Sequence, residues 1–268
     1  MPKTRIAVAG AAGRMGKRIL SLAHADSAFE IVGALEGEGT DALGSDVGAL
    51  IGEKNLGVKV ESKIESALKQ AQVLIDFTQP NATENHVEGA LRLGVGLVIG
   101  TTGLPEKTLQ AIQQASKQIP VLQSPNMSAG VNFLFELVAR AAEVLGEDYD
   151  IEISETHHQM KKDAPSGTAL ELARLIAKAK GWDPKKAFIF GRQGETGERK
   201  KGTIAIHALR GGDVVGDHTV SFLGGGEIVE LTHRATSRDA FARGALLAAK
   251  FVAVKKNGLY NMRDVLRG

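Results

Sequence analysis

The densest group of chemically active side chains in the sequence lies in residues 155–168, which read ETHHQMKKDAPSGT. His157 and His158 stand side by side, and Lys161 follows them. A histidine titrates near neutral pH, so either member of the pair could act as a general acid. Lys161 adds a fixed cation and a second source of a proton. The combination predicts acid catalysis on an anionic substrate.

The same stretch ends in residues that suit the start of a helix. Ser166 is a favourable N-cap, and Pro165 before it helps to stop a preceding helix. Gly167 and Thr168 would then form the first turn, whose backbone N–H groups attract anions such as a substrate carboxylate. Simpler interpretations stay open: surface histidines, an ordinary helix start, or a histidine metal site, although a third matched ligand is lacking nearby. We expect no metal.

A glycine-rich turn follows the first short apolar run, Ile6–Ala9. Residues 10–16 read GAAGRMG, with a glycine at every third position. Such a turn between a strand and a helix lets a pyrophosphate approach the helix N-terminus, although an ordinary tight turn is the simpler alternative. The pattern predicts a dinucleotide site whose contacts include Gly10, Ala11, Ala12, Gly13, Arg14 and Met15.

An acidic residue at the end of the second strand strengthens the dinucleotide interpretation. Glu36 lies about 20 residues beyond the turn, where the fingerprint places a carboxylate for the adenosine ribose hydroxyls. Gly37 follows it, at a position where a site that prefers NADP often carries an arginine. The sequence therefore permits NADH, NADPH or both and leaves the preference open.

Two further segments follow predicted strands, at the sheet edge where ligands of open α/β sheets bind. The first contains Gly100, Thr101 and Thr102, and the second is Ser124-Pro125-Asn126-Met127. Asn126 has donors and acceptors that suit a carboxamide partner. Plain turn chemistry would explain either segment equally well.

The elements that must position these residues follow two different patterns. Up to about Ser124, short apolar strands alternate with amphipathic helices, which indicates a doubly wound parallel sheet of Rossmann type. Asn81 is expected to cap one of these helices. Beyond Ser124 we expect an α+β domain with a mainly antiparallel sheet, in which residues 203–232 form a three-stranded meander. The predicted domains are 1–125 with 239–268, and 126–238.

Composition excludes several classes of protein. The chain of 268 residues has a net charge of +2 and 4% aromatic residues, which argues against nucleic-acid binding. It has no cysteine, which removes disulfides and thiolate metal sites. No apolar run approaches the ~18 residues of a membrane span. We expect a cytoplasmic protein without membrane or nucleic-acid partners.

Residues 155–169 resemble the signature of the bacterial 4-hydroxy-tetrahydrodipicolinate reductase (dihydrodipicolinate reductase) family. Further matching motifs occur in order along essentially the whole chain: Val8–Gly16, Ile75–Thr78, Gly100–Gly103, Gly130–Asn132, Gly216–Thr219 and Thr232–Arg238. The resemblance implies a reductase of the diaminopimelate and lysine pathway that uses NADH or NADPH on a cyclic imine dicarboxylate. It also implies a homotetramer built on the sheet of the C-terminal domain.

The resemblance also assigns roles to individual residues. It makes His157 the proton donor and acceptor, and Lys161 the second proton donor. It implies that the substrate carboxylates are bound by His158, Gly167, Thr168 and Arg238. It implies that the cofactor is contacted by residues 10–15, Glu36, Gly100–Thr102 and Ser124–Met127. Two departures stand out: Gly37 where many members have arginine, and Ser124-Pro125 with Met127 where Ala-Ala and Phe are common.

Two alternatives share the glycine turn. A non-catalytic NAD(P) sensor would need the turn but not His157, His158 and Lys161 together. A different small-substrate NAD(P) dehydrogenase would not need the anion seat at Ser166-Gly167-Thr168. A metal-dependent hydrolase would explain the histidines but not the glycine turn.

Overall fold

The computed structural model describes residues 2–268, and these divide into two compact units. The first unit holds the chain up to Ala129 and resumes at Arg238–Gly268, while the second is Gly130–Ser237. Each unit has an apolar core of its own. No helix within the described residues is long and apolar enough to cross a bilayer.

The first unit alternates strands and helices along most of its length. Its strands are Thr4–Ala9 (β1), Phe29–Leu35 (β2), Val60–Glu61 (β3), Val73–Asp76 (β4), Gly96–Ile99 (β5) and Pro120–Gln123 (β6). The helices between them are Arg14–Ala25 (α1), Val47–Ile51 (α2), Ile64–Leu68 (α3), Pro80–Leu93 (α4) and Glu106–Ala115 (α5).

All strand pairs of this unit are parallel, and among the described residues their order begins β3-β2-β1-β4-β5-β6. This is the order of the dinucleotide-binding fold, and it reverses between β1 and β4. The predicted Rossmann-type sheet is therefore confirmed. The reversal point places the turns after β1 and β4 beside each other, and ligands of such sheets bind there.

Continuous apolar runs form the central strands because both faces of the sheet are covered. Every residue of β4 and β5 is buried. The prediction that Asn81 caps α4 is wrong by two positions: Gln79 is the N-cap and Pro80 opens the helix. Proline suits the first helical position because its fixed φ matches the helix and its missing N–H would have no partner there.

The second unit is an α+β arrangement. It contains Ala129–Leu145 (α6), Asp150–His157 (β7), Gly167–Lys180 (α7), Pro184–Ala187 (α8), Phe188–Phe190 (β8), Ile204–Arg210 (β9), Gly216–Leu223 (β10) and Ile228–Ala235 (β11). Side chains of α6 and α7 pack with Ile151, Ile153, Val220 and Phe222 in its core. The chain then returns to the first unit as Asp239–Val252 (α9), Gly258–Tyr260 (β12) and Met262–Arg267 (α10). β12 extends the parallel sheet beside β6.

The sheet of the second unit is mixed, with the order β11-β10-β7-β9-β8 among the described strands. β10 is antiparallel to β7 and β11, whereas β9 is parallel to β7 and β8. The predicted three-stranded meander is therefore wrong, because β7 lies between β9 and β10. The Gly211-Gly212 connection crosses the end of β7 and does not form a hairpin.

Candidate functional site

The glycine turn after β1 folds back on itself so closely that side chains are excluded. Gly10 has φ +73°, in the region that favours glycine. A Cβ added at Gly16 would lie 2.0 Å from the carbonyl oxygen of Gly10. Among the residues predicted to contact the cofactor, Ala11 is buried, Gly13 is the N-cap of α1, and Arg14 and Met15 open that helix. The turn leaves backbone at the helix N-terminus for a pyrophosphate to approach.

Glu36, at the end of β2, is fixed against this turn. Its Oε1 accepts a hydrogen bond from the Ala12 N–H at 2.7 Å, and its Oε2 accepts one from the Gly37 N–H at 3.3 Å. A carboxylate held beside the glycine turn fits the ribose hydroxyls of a dinucleotide. Gly37 is exposed, and a Cβ added there would meet no atom of the described chain within 4 Å.

A cavity of about 720 Å³ opens at this reversal point, inside the first unit. Three residues predicted from the glycine fingerprint line it: Gly10, Gly13 and Glu36. The turn after β4 and the helix α4 supply a polar wall that the sequence analysis missed, formed by Thr78, Gln79, Asn81, Asn85 and His86. The sequence did carry a signal for these residues, because in a sheet of this type the turns after both β1 and β4 border the ligand site.

A buried carboxylate holds that wall in place. Asp76, fully buried at the end of β4, accepts hydrogen bonds at Oδ1 from the Thr78 N–H and hydroxyl and from the Thr101 hydroxyl, and its Oδ2 lies 3.1 Å from His86 Nδ1. Burial favours protonation, but the interactions with His86, Thr78 and Thr83 outweigh it and lower the pKa of Asp76. Of the predicted segment Gly100–Thr102, Thr101 is thus a buried structural partner and Thr102 is exposed.

The segment Ser124-Pro125-Asn126-Met127 follows β6 at the same edge of the sheet. The Ser124 hydroxyl donates to the Asn126 carbonyl at 2.9 Å, and Asn126 Oδ1 accepts from the Ser128 N–H at 2.9 Å. Met127 is 1% exposed and packs in the apolar core, while Pro125 is exposed. The segment does not line the cavity described above.

The second unit gathers its polar side chains at the end of β7. His157 Nδ1 lies 2.5 Å from Glu155 Oε2, and the Ser166 N–H donates to Glu155 Oε1 at 3.0 Å. Arg210 donates to both oxygens of the same carboxylate, at 2.8 and 2.9 Å. Burial raises the pKa of Glu155, but the bonds from His157 and Arg210 outweigh it and bring that pKa to about 2.

The predicted helix start is present, with Ser166 as its N-cap. Ser166 is the N-cap of α7, and its Oγ accepts from the Ala169 N–H at 3.2 Å. The same hydroxyl lies 3.0 Å from Nε2 of His218, a buried histidine whose ring meets that of His157 edge-on at 5.2 Å. Gly167 opens the helix and is exposed, as a ligand seat requires.

The remaining predicted residues divide between the two units. Lys161 is ion-paired with Asp163 at 2.8 Å, and His158 receives a backbone bond from the crossing loop, since its N–H donates to Val214. Both lie with Thr168 in the second unit, whereas Arg238 belongs to the first unit, at the N-cap of α9. Within residues 2–268, no three His, Cys, Asp or Glu side chains are grouped to hold a metal ion.

Comparisons with known proteins cover nearly the whole chain. Residues 4–127 match the family model "Dihydrodipicolinate reductase, N-terminus", and residues 130–266 match the corresponding C-terminus model. The chain is 51% identical to the 4-hydroxy-tetrahydrodipicolinate reductase of Thiobacillus denitrificans, with 98% of each chain covered. It is 49% identical to that of Anaeromyxobacter dehalogenans, over 98% of this chain and 97% of the relative.

A solved structure shares the whole fold. The dipicolinate-bound dihydrodipicolinate reductase of Paenisporosarcina sp. TG-14 superposes with a TM-score of 0.73 and 25% identity, and 97% of each chain is covered. The reversed parallel sheet with its glycine turn is a dinucleotide-binding fold, and the matched relatives are reductases, so the chain is an oxidoreductase that uses NADH or NADPH. With matches over nearly its full length, the chain belongs to the dihydrodipicolinate reductase family.

Stability should fall as the pH drops from 7 to 5, because the folded protein keeps His218 neutral. Burial, followed by the charge of His157, lowers the pKa of His218 to about 3. The unfolded chain binds a proton below about pH 6.5, so the stability this histidine provides is complete above that pH and is lost towards pH 3. The expected slope is up to about 1.4 kcal/mol per pH unit. Urea denaturation at several pH values measures it.

His218→Gln should flatten this slope, and the exposed His24→Gln should not. The pKa of His233 is also lowered by burial, so a shallow slope is expected to remain in the variant. Glu155 and Glu152, with pKa values of about 2, lose their contributions only below about pH 4.5 and leave this window undisturbed. Equal slopes in the wild type and His218→Gln would contradict the assignment.

Proposed function

We propose that the protein reduces 4-hydroxy-tetrahydrodipicolinate, through its dehydrated cyclic imine, to tetrahydrodipicolinate in diaminopimelate and lysine biosynthesis. The main support is the end of β7, where His157 is held by a buried carboxylate that also binds the first residue before α7. One carboxylate thus contacts both the His157 imidazole and the N-terminus of α7, which supports a proton donor beside a helix start that can bind a carboxylate. We further infer that the reaction takes place in the cytoplasm, where reduced nicotinamide cofactors are available.

The first domain, residues 1–125 with 239–268, is proposed to bind the cofactor. When bound, NAD(P)H supplies the hydride that adds to C4 of the dehydrated ring. The proposed contacts are residues 10–15 for the pyrophosphate, Glu36 for the adenosine ribose, and Gly100–Thr102 with Ser124–Met127 towards the nicotinamide. The position of Glu36 beside the Ala12 N–H supports the adenosine end of this assignment.

The second domain, with predicted bounds 126–238 and a compact unit of Gly130–Ser237, is proposed to bind the substrate and to deliver the proton. His157 protonates C3, and Lys161 acts as the second proton donor and offsets the charge of the dicarboxylate. His158, Gly167, Thr168 and Arg238 are proposed to bind the carboxylates. The support is chemical: a capped helix start and a lysine are the features that stabilise an anion.

We also propose a homotetramer that forms through the sheet of the second domain. The helices α6 and α7 share the core with one face of that sheet. Hydrophobic residues are exposed elsewhere on the sheet, with 50% of Leu209, 61% of Phe190 and 61% of Ile228 accessible. Light scattering after size exclusion should therefore give about four times the chain mass of 28.3 kDa. A mass near that of one chain would rule the tetramer out.

Removal of either proton donor should lower turnover. We expect His157→Gln and Lys161→Ala to reduce kcat by about 10²–10⁴-fold, the usual contribution of a positioned acid. The assay follows oxidation of NADH and of NADPH with enzymatically generated substrate. His24→Gln, a change at an exposed histidine of α1, is the control and should keep wild-type turnover. Oxidation of neither nucleotide by the wild type would refute the reductase, and full activity of both variants would refute the residue roles.

The cofactor preference should respond to residue 37. The backbone there leaves room for a side chain, since a Cβ added at Gly37 meets no described atom within 4 Å, and an arginine would pair with the 2′-phosphate of NADPH. Gly37→Arg should raise the ratio of kcat/KM for NADPH over NADH by about tenfold, which corresponds to about 1.4 kcal/mol. Gly37→Ala is the control and should leave the ratio unchanged. An unchanged ratio in Gly37→Arg would show that the adenosine ribose does not lie beside Glu36.

A further inference from the structure

The inward-facing positions of β7 are apolar in the first half of the strand and polar at its end. Along β7 the inward positions are Ile151, Ile153, Glu155 and His157. Residues two apart in a strand share a face, so Glu155 and His157 lie on the side of the sheet that packs against the core. A carboxylate in such a place requires charged or hydrogen-bonding partners.

Glu155 has these partners on both oxygens. Its side chain has no exposed surface, and it interacts with His157, with both terminal nitrogens of Arg210 and with the Ser166 N–H. With its pKa near 2, the carboxylate is ionised at neutral pH and can only accept hydrogen bonds. The hydrogen on the short contact to His157 must therefore sit on the imidazole Nδ1.

We propose that Glu155 is the positioning residue of this reductase. It holds one proton of His157 on Nδ1, so that Nε2 takes up the second proton of the imidazolium and delivers that proton to C3 of the substrate. The proposal rests on the proposed function, in which His157 is the proton donor. It assigns no contact with substrate to Glu155. A neutral histidine has one protonated nitrogen, so the partner of one nitrogen decides the chemistry of the other.

The structure also confines the ring on its Nε2 side. A Cβ added at Gly216 would lie 2.9 Å from His157 Nε2, so only glycine leaves room for that atom in its present place. The ring of His218 meets His157 edge-on from the same strand, β10. Rotation that would exchange the two nitrogens would separate Nδ1 from its carboxylate.

The same carboxylate sets the distance between the proton donor and the anion seat. Glu155 Oε2 contacts His157, and Oε1 accepts from the N–H of Ser166, the N-cap of α7. Arg210 adds a bond from Nη2 to the carbonyl of Asp163 and so ties the intervening loop to this group. The charged and titratable neighbours of His157 are therefore Glu155, Arg210 and His218, with the Lys161–Asp163 ion pair nearby.

The direct test is the tautomer of His157, read from the ¹⁵N chemical shifts of histidine-labelled protein. His157→Gln assigns the resonances. In the wild type, the neutral ring should carry its proton on Nδ1. In Glu155→Gln, the amide can donate to Nδ1, so the proton should move to Nε2. A wild-type ring protonated on Nε2, or an unchanged tautomer in Glu155→Gln, would overturn the proposal.

Kinetics separate positioning from a merely structural role. Glu155→Gln should lower kcat by about 10²-fold or more, because no carboxylate then holds the Nδ1 proton and offsets the charge of the imidazolium that donates from Nε2. The KM for NADH should change less than about threefold. Glu155→Asp keeps the charge and should restore the Nδ1 tautomer and part of the activity.

The outcomes distinguish this proposal from the proposed function. If His157→Gln is inactive and Glu155→Gln is fully active, the reductase assignment stands and the role of Glu155 is refuted. If His157→Gln is fully active, the proposed role of His157 fails, and the ¹⁵N measurement still decides the tautomer. Equal losses in Glu155→Gln and Glu155→Asp, with the same tautomer as the wild type, would make Glu155 purely structural.

Discussion

The hydrogen bonds of the Glu155 carboxylate are the interaction on which the arrangement of the second unit depends. A fully buried carboxylate is costly unless it is paired and hydrogen-bonded. Here the donors come from β7 itself, from Ser166 before α7, and from Arg210 at the end of β9. Removal of any one donor would leave charge uncompensated. The need to satisfy the carboxylate therefore holds three chain segments together at the end of one strand.

The first unit also has a buried, hydrogen-bonded carboxylate, at the end of β4. Asp76 is fully buried and interacts with Thr78, Thr101 and His86, which come from two loops and from α4. In both units a carboxylate stands where a central strand ends, and its partners lie on segments that carry candidate ligand contacts. Loops are normally the mobile parts of a fold. Hydrogen bonds to a buried carboxylate restrict the motion of these segments at the positions that are proposed to contact a ligand.

The parts of the fold that could be predicted are those encoded locally. The glycine turn, the acid at Glu36 and the N-cap at Ser166 each depend on a few neighbouring residues, and the sheet class follows from the alternation of strands and helices. The partners of β7 could not be found in this way. Arg210 meets Glu155 across 55 residues of sequence, and His218 meets Ser166 across 52 residues. No local pattern specifies such contacts. The period of two along β7 did place Glu155 beside His157, and that signal was overlooked.

The predicted meander was wrong, and the strand order observed in its place shapes the candidate site. Glycines between two apolar strands usually indicate a hairpin, but here β7 separates β9 from β10. The connection must then span two strand spacings, about 10 Å, over the end of β7. It does so with backbone bonds at each step: Gly211 donates to the His157 carbonyl, and the N–H groups of His158 and Gln159 donate to the loop. A hairpin would have left the two histidines at an open strand end. The inserted strand instead gives His157 a neighbour on each side, with Arg210 from β9 and His218 from β10.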